Sequence, residues 1–165
     1  MKKVRKGRSY WLMLLGVAVV ALARTVDQKP APIGGSATAY VQRAVDGDTV
    51  VLSSGERVRY IGIDTPELHH PRKPVQPYAR EAMEANRRLV EGKSVRLEFD
   101  VQRRDKYDRL LAYVFLEDGT FVTAELMRQG YAHLLTIPPD VKYTDLFVKL
   151  QREAQEAKRG LWGSR

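Results

Sequence analysis

Three short stretches of the chain carry side chains whose types and spacing could do chemistry. The first is Asp46-Gly47-Asp48-Thr49. The second is Arg59 with Asp64-Thr65-Pro66-Glu67 five residues on, and the third is Asp105-Lys106-Tyr107-Asp108-Arg109. Each has an ordinary reading alone: a hairpin turn, a helix entry with proline in its first turn, and a charged loop. Together they supply the parts for hydrolysing a phosphodiester, a stable anion that needs charge neutralisation, an activated water and in-line geometry. Two carboxylates at strand ends can hold a hard divalent cation through oxygen. Two arginines can clamp a phosphate and stabilise charge added in the transition state. A further carboxylate, not tied to the metal, can orient or deprotonate water.

The elements that must position these stretches are legible from periodicity. Tyr40 to Val45 reads as a strand, Asp46-Gly47 as a hairpin turn, and Val50-Val51-Leu52 as the returning strand. Ser53-Ser54-Gly55 turns the chain again, and Arg57 to Ile63 reads as a third strand of the meander. From about Pro77 the apolar residues fall near a helical period up to Gly92. Val95, Leu97 and Phe99 alternate with polar residues as in a half-buried strand, and Leu110 to Leu116 reads as a buried strand. Val122 to Gln129 reads as a helix stopped by Gly130. Tyr143, Leu146, Phe147, Leu150, Ala154 and Ala157 mark one face of a last helix capped by Gly160. Short strands with interspersed helices in one domain predict an α+β, mainly β fold: a small closed barrel of the five-stranded oligonucleotide-binding (OB-fold) type.

The order and spacing of these motifs resemble the staphylococcal nuclease (thermonuclease) family. Asp46-Gly-Asp-Thr-Val, Arg59, Asp64-Thr-Pro-Glu, Asp105-Lys-Tyr-x-Arg with Leu111-Ala-Tyr, Leu126-Met-Arg-Gln-Gly and Glu153-Ala-Gln carry the resemblance, which spans about residues 39 to 162. It implies a five-stranded barrel with three helices and a calcium-dependent endonuclease that cuts DNA and RNA, single-stranded or frayed, to leave 3′-phosphate ends. It implies that Asp48 and Asp64 bind Ca²⁺ through carboxylates and Thr65 through its carbonyl. Glu67 matches the general base, Arg59 and Arg109 the phosphate-clamping arginines. Lys106 and Tyr107 match groups near the bound nucleotide, and Lys73 lies in a basic loop beside the site.

The chain departs from the family pattern in two places. Two tyrosines that flank the base in the family's best-known member are replaced by the stretch Leu134-Leu135-Thr136-Ile137-Pro138-Pro139. The resemblance therefore implies weaker or different base preference with the cleavage machinery kept, since stacking on aromatics contributes ~1–3 kcal/mol per base. Asp108 stands where a glycine is usual; its carboxylate either opposes phosphate or points to solvent, and the second is the expectation. His69 and His70 belong to a solvated basic loop, because a hard calcium site favours oxygen over imidazole. His133, in an apolar run, reads as structural.

The 165 residues suffice for one compact domain, and with no cysteine it has no disulfide staples. The net charge of +8 suggests an anionic partner, but five of the 28 Lys and Arg and none of the 20 acids lie in the first 23 residues, so the remainder carries only +3. Those 23 residues run from basic (Lys2 to Arg8) through apolar (Trp11 to Ala23) to Ala21-Leu22-Ala23, the order of a secretory signal. A membrane anchor is the alternative, and a core helix a distant third. Residues 24–38, with Pro30, Pro32, Gly34 and Gly35, read as a linker, and 39–163 as the nuclease-like domain. A non-catalytic nucleic-acid or protein-binding module of the same fold is the competing reading. Retention of all five side chains, Asp48, Asp64, Arg59, Glu67 and Arg109, favours the enzyme.

Overall fold

The computed structural model describes residues 34–68 and 74–163. The N-terminal segment, the linker up to residue 33, His69, His70 and Lys73 lie outside the described residues. Five strands close into a barrel in the order β1-β2-β3-β6-β5. They are β1 (Ser36–Ala44), β2 (Thr49–Leu52), β3 (Arg57–Tyr60), β5 (Ser94–Glu98) and β6 (Leu110–Leu116). The contacts β1–β2, β2–β3, β1–β5 and β5–β6 are antiparallel, and β3–β6 is parallel. Alternation puts Val41, Val50, Val58, Val95, Leu97, Ala112 and Val114 inside, all at most 1% exposed. Three helices, α1 (Ala79–Val90), α2 (Val122–Arg128) and α3 (Thr144–Glu156), cover the barrel. Tyr113, Phe121, Tyr143 and Phe147 form an aromatic cluster where α2 and α3 meet it. Among the described residues no helix is long and apolar enough to cross a membrane.

Four details differ from the sequence expectation. β1 starts at Ser36, inside the stretch read as linker, because Ser36, Ala37 and Thr38 pair through their backbones with Glu98, Leu97 and Arg96 while their side chains stay exposed. The third strand, read as continuous from Arg57 to Ile63, breaks after Tyr60. Gly62 takes φ 88°, and a Cβ there would lie 2.4 Å from the Phe147 ring, so the chain turns against α3 where only glycine fits. The turn creates β4 (Ile63–Asp64), which pairs with β7 (His133–Leu134) outside the barrel. Helix α3 ends at Glu156, with Lys158 left-handed at φ 51°; Gly160 instead opens a short 3₁₀ turn.

Candidate active site

The three stretches meet at one end of the barrel. The turn between β1 and β2 delivers Asp46 and Asp48, and β3 delivers Arg59. β4, redirected at Gly62, delivers Asp64, Thr65 and Glu67, and the loop before β6 delivers Arg109. All seven line one polar cleft of about 170 Å³. The parallel β3–β6 pairing brings the two arginine-bearing segments side by side, with Arg59 opposite Leu111. The β1–β2 turn fits tightly on the segment after β4. A Cβ on Gly47 would lie 2.7 Å from the Thr65 side chain, which explains glycine between the two aspartates.

Asp48 anchors the site. Only 5% exposed, its Oδ2 accepts hydrogen bonds from the Thr65 N–H at 2.9 Å and the Thr65 hydroxyl at 3.0 Å. The Thr49 hydroxyl donates to its Oδ1 at 3.1 Å. The Arg59 guanidinium lies between the carboxylates, 3.2 Å from Asp48 and 2.9 Å from Asp64, and also donates to the carbonyls of Tyr60 and Ile63. Arg109 is gripped by Asp105 through Nε and Nη2, both at 2.7 Å. Asp105 also accepts from the backbone N–H groups of Tyr107 and Arg109, so the loop is wound round that carboxylate. Those hydrogen bonds and the Arg109 guanidinium outweigh partial burial and hold the Asp105 carboxyl below the usual carboxylate range. The Glu67 N–H donates to Gln76 Oε1 at 2.8 Å, and the Gln76 N–H donates back to the Glu67 carbonyl, which ties the segment to the entry of α1.

Asp46 is the residue that sequence reading passed over as part of an ordinary turn. It lines the cleft, and burial, with the negative charge of Asp48 beside it, pushes its carboxyl up to about 7. Burial and the charges of Asp48 and Glu67 likewise raise Asp64, against the pull of Arg59. The only signal in the sequence was the second acid two residues before Asp48.

Such crowding of acids tests whether a cation fits. Asp46, Asp48, Asp64 and Glu67 offer oxygen ligands only, the donor set of a hard ion, and a cation among them would relieve the repulsion that raises Asp46 and Asp64. Among the described residues no three acid or histidine side chains are already gathered as a metal centre. Asp48, Asp64 and the Thr65 carbonyl could contribute oxygens to a hard divalent ion, with water completing its shell.

Stability should report this crowding. A raised carboxyl binds its proton more tightly in the folded chain, so between about pH 4 and 7 the folded state holds more protons than the unfolded one. Metal-free protein is therefore expected to lose stability through Asp46 as pH rises across that window. Thermal melts with a chelator check this, and Asp46→Asn should flatten the slope.

Of the remaining predicted residues, Lys106 and Tyr107 sit on the exposed loop at the rim, with the Lys106 ammonium 5.0 Å from the Tyr107 ring centroid and the Arg109 guanidinium 5.5 Å from it. Asp108 takes φ 62°, which is why glycine suits this position; its side chain is 87% exposed and thus points to solvent. His133 is exposed, pairs with Asp64 across β4–β7, and packs edge-on against Trp162. Leu135 and Ile137, from the stretch that replaces the tyrosines, line a second, apolar pocket of about 210 Å³ that shares Arg59 and Arg109 with the cleft.

Residues 57–164 match the sequence profile of the family described as staphylococcal nuclease homologue. The chain belongs to the staphylococcal nuclease family. It is 37% identical to a thermonuclease of Staphylococcus intermedius, with 98% of this chain and 99% of that protein covered. A thermonuclease of Staphylococcus hyicus is 33% identical over 99% of this chain and all of its own length. Endonuclease YncB of Bacillus subtilis is 42% identical over 74% of this chain and 60% of its own. The staphylococcal nuclease profile covers the segment from β3 onward, which carries Arg59, Asp64, Glu67 and Arg109.

Proposed function

We propose that this chain is an exported, calcium-dependent endonuclease that hydrolyses phosphodiester bonds of DNA and RNA to 3′-phosphate products. The observation that carries the reading is the convergence of two arginines and four carboxylates on one small cleft. The names of the matched proteins, thermonucleases and an endonuclease, support its nuclease part. Export is supported by the basic, apolar, small-residue order of residues 1–23.

The roles follow from the surroundings of each group. Calcium held by Asp48, Asp64 and the Thr65 carbonyl would supply positive charge at the phosphate. Arg59, pinned between those two carboxylates, presents its charge beside them without free rotation. Arg109, held by Asp105, faces the phosphate from the β6 side, so the two guanidinium groups can take charge from two directions as it builds on the phosphoryl oxygens. Glu67 lines the same cleft, where its carboxylate would orient water or accept its proton. The apolar pocket beside both arginines is suited to the sugar and base next to the scissile phosphate. Its Leu135 and Ile137 walls offer burial rather than ring stacking, so base preference is weak.

End-group analysis of the products tests the reaction. Fragments that accept a 5′-phosphorylated adaptor at their 3′ ends only after those ends are dephosphorylated are expected. Products with 5′-phosphate and 3′-hydroxyl ends would overturn the assigned direction of cleavage.

A further inference from the structure

Two more grooves adjoin the cleft in series through shared residues. The first, about 400 Å³, shares Arg109 with the cleft and is walled by Arg57, Arg104, Tyr107 and the Ser54–Gly55 turn. The second, about 450 Å³, shares Ser54 and Glu56 with the first and continues to Tyr40, Phe99 and Arg103. The cleft and both grooves thus form one path over the turn between β2 and β3.

The path alternates exposed rings with cations. Tyr107 is 68% exposed and Tyr40 48%, large aromatic surfaces to leave in water. Arg57 is exposed on β3 beside the first groove, and the Arg103 guanidinium stacks on Phe99 at 4.1 Å in the second. Arg104 spans the first groove, bonded to Glu56 at 2.6 Å on the β2–β3 side and to the Asp108 carbonyl at 2.9 Å on the other. Both acids that line this groove, Glu56 and Asp108, pair with Arg104, the Asp108 carboxylate at 3.4 Å.

We infer that this path is a strand-binding track, which holds the single-stranded nucleic acid beyond the scissile phosphate. Bases stack on Tyr107 and then Tyr40, and Arg57 meets the backbone between them. Rings interleaved with cations are what an unpaired strand recognises, since every unpaired base has a free π-face. Paired bases have both faces stacked already and offer the rings nothing. The inference rests on the nuclease reading above, and adds to it the place where a strand longer than a dinucleotide is held, through Tyr40 and Arg57.

The test compares the full-length protein with its Tyr40→Ala and Arg57→Gln variants on two substrates: a dinucleotide, which reaches the cleft alone, and a single strand of about twelve nucleotides. Both side chains are exposed, so the variants are expected to fold. For Tyr40→Ala, KM for the long strand should rise about five-fold or more, the lower end of what loss of one stacked base produces, with kcat kept. Dinucleotide kcat/KM should not change. Equal losses on both substrates, or none on either, overturn the track and leave the nuclease reading standing. Fluorescence anisotropy of the labelled long strand with a chelator present reads the track without cleavage. Wild-type binding that both variants weaken supports it even if no cleavage is found, and no binding by wild type overturns it.

Discussion

Replacing Arg109 with alanine is expected to lower kcat by about three orders of magnitude while the fold is retained, the scale seen when a transition-state arginine or oxyanion donor is removed. Arg109 lines the cleft, yet its fixed partner is Asp105, which is outside the cleft lining. The loop does not depend on the guanidinium alone, because Asp105 still accepts from the backbone N–H groups of Tyr107 and Arg109. The lost ion pair is part-buried and costs about 1–3 kcal/mol of stability. Arg109→Lys should recover only part of the rate, since an ammonium cannot keep both Asp105 contacts and also offer a planar fork to phosphate. Glu67→Gln should also cost orders of magnitude in kcat. Single-turnover rates alongside thermal melts check all three; near-normal rates for both Arg109→Ala and Glu67→Gln would mean the site lies elsewhere.

Asp48→Asn is expected to weaken calcium binding by about 100-fold or more, since loss of a mere partner to a ligand already costs 10–100-fold. The effect has a structural component that Arg109→Ala lacks. Asp48 is buried, and its Oδ2 accepts two hydrogen bonds from Thr65. An amide with its NH₂ at the Oδ2 position would set donor against both Thr65 and the Arg59 guanidinium; turned the other way, its oxygen keeps those partners and its NH₂ faces the Thr49 hydroxyl, which then accepts instead of donating. The second orientation keeps the hydrogen bonds but loses the carboxylate charge opposite Arg59, about 1–3 kcal/mol of stability. Calorimetric titration with calcium and melts of the metal-free variant separate the two losses. Unchanged affinity would remove Asp48 from the metal site.

Much of this was written in the residues. Alternation marked β5, the apolar run marked β6, and glycine steps marked most ends. The three chemical stretches kept their grouping because strand ends bring them to one mouth of the barrel. What the sequence hid was non-local. The break at Gly62 depends on a ring from α3, more than 80 residues on, and it aims Asp64 and Glu67 at the cleft. The early start of β1 is backbone pairing with exposed side chains, which leaves no hydrophobic pattern. Asp46 looked like turn chemistry because the carboxylates that crowd it come from another segment as well as its own. The apolar pocket draws Tyr60 and Leu111 from the barrel and Leu135 and Ile137 from the stretch after β7, so no local motif announces it.

The central claim is that the cleft hydrolyses phosphodiesters with calcium. Its most direct test is cleavage of single-stranded DNA by the purified protein, first with calcium, then with a chelator, then with calcium restored in excess. Cutting that stops with the chelator and returns with calcium is the predicted result. No cutting with any divalent ion, or cutting that persists undiminished in the chelator, would contradict it.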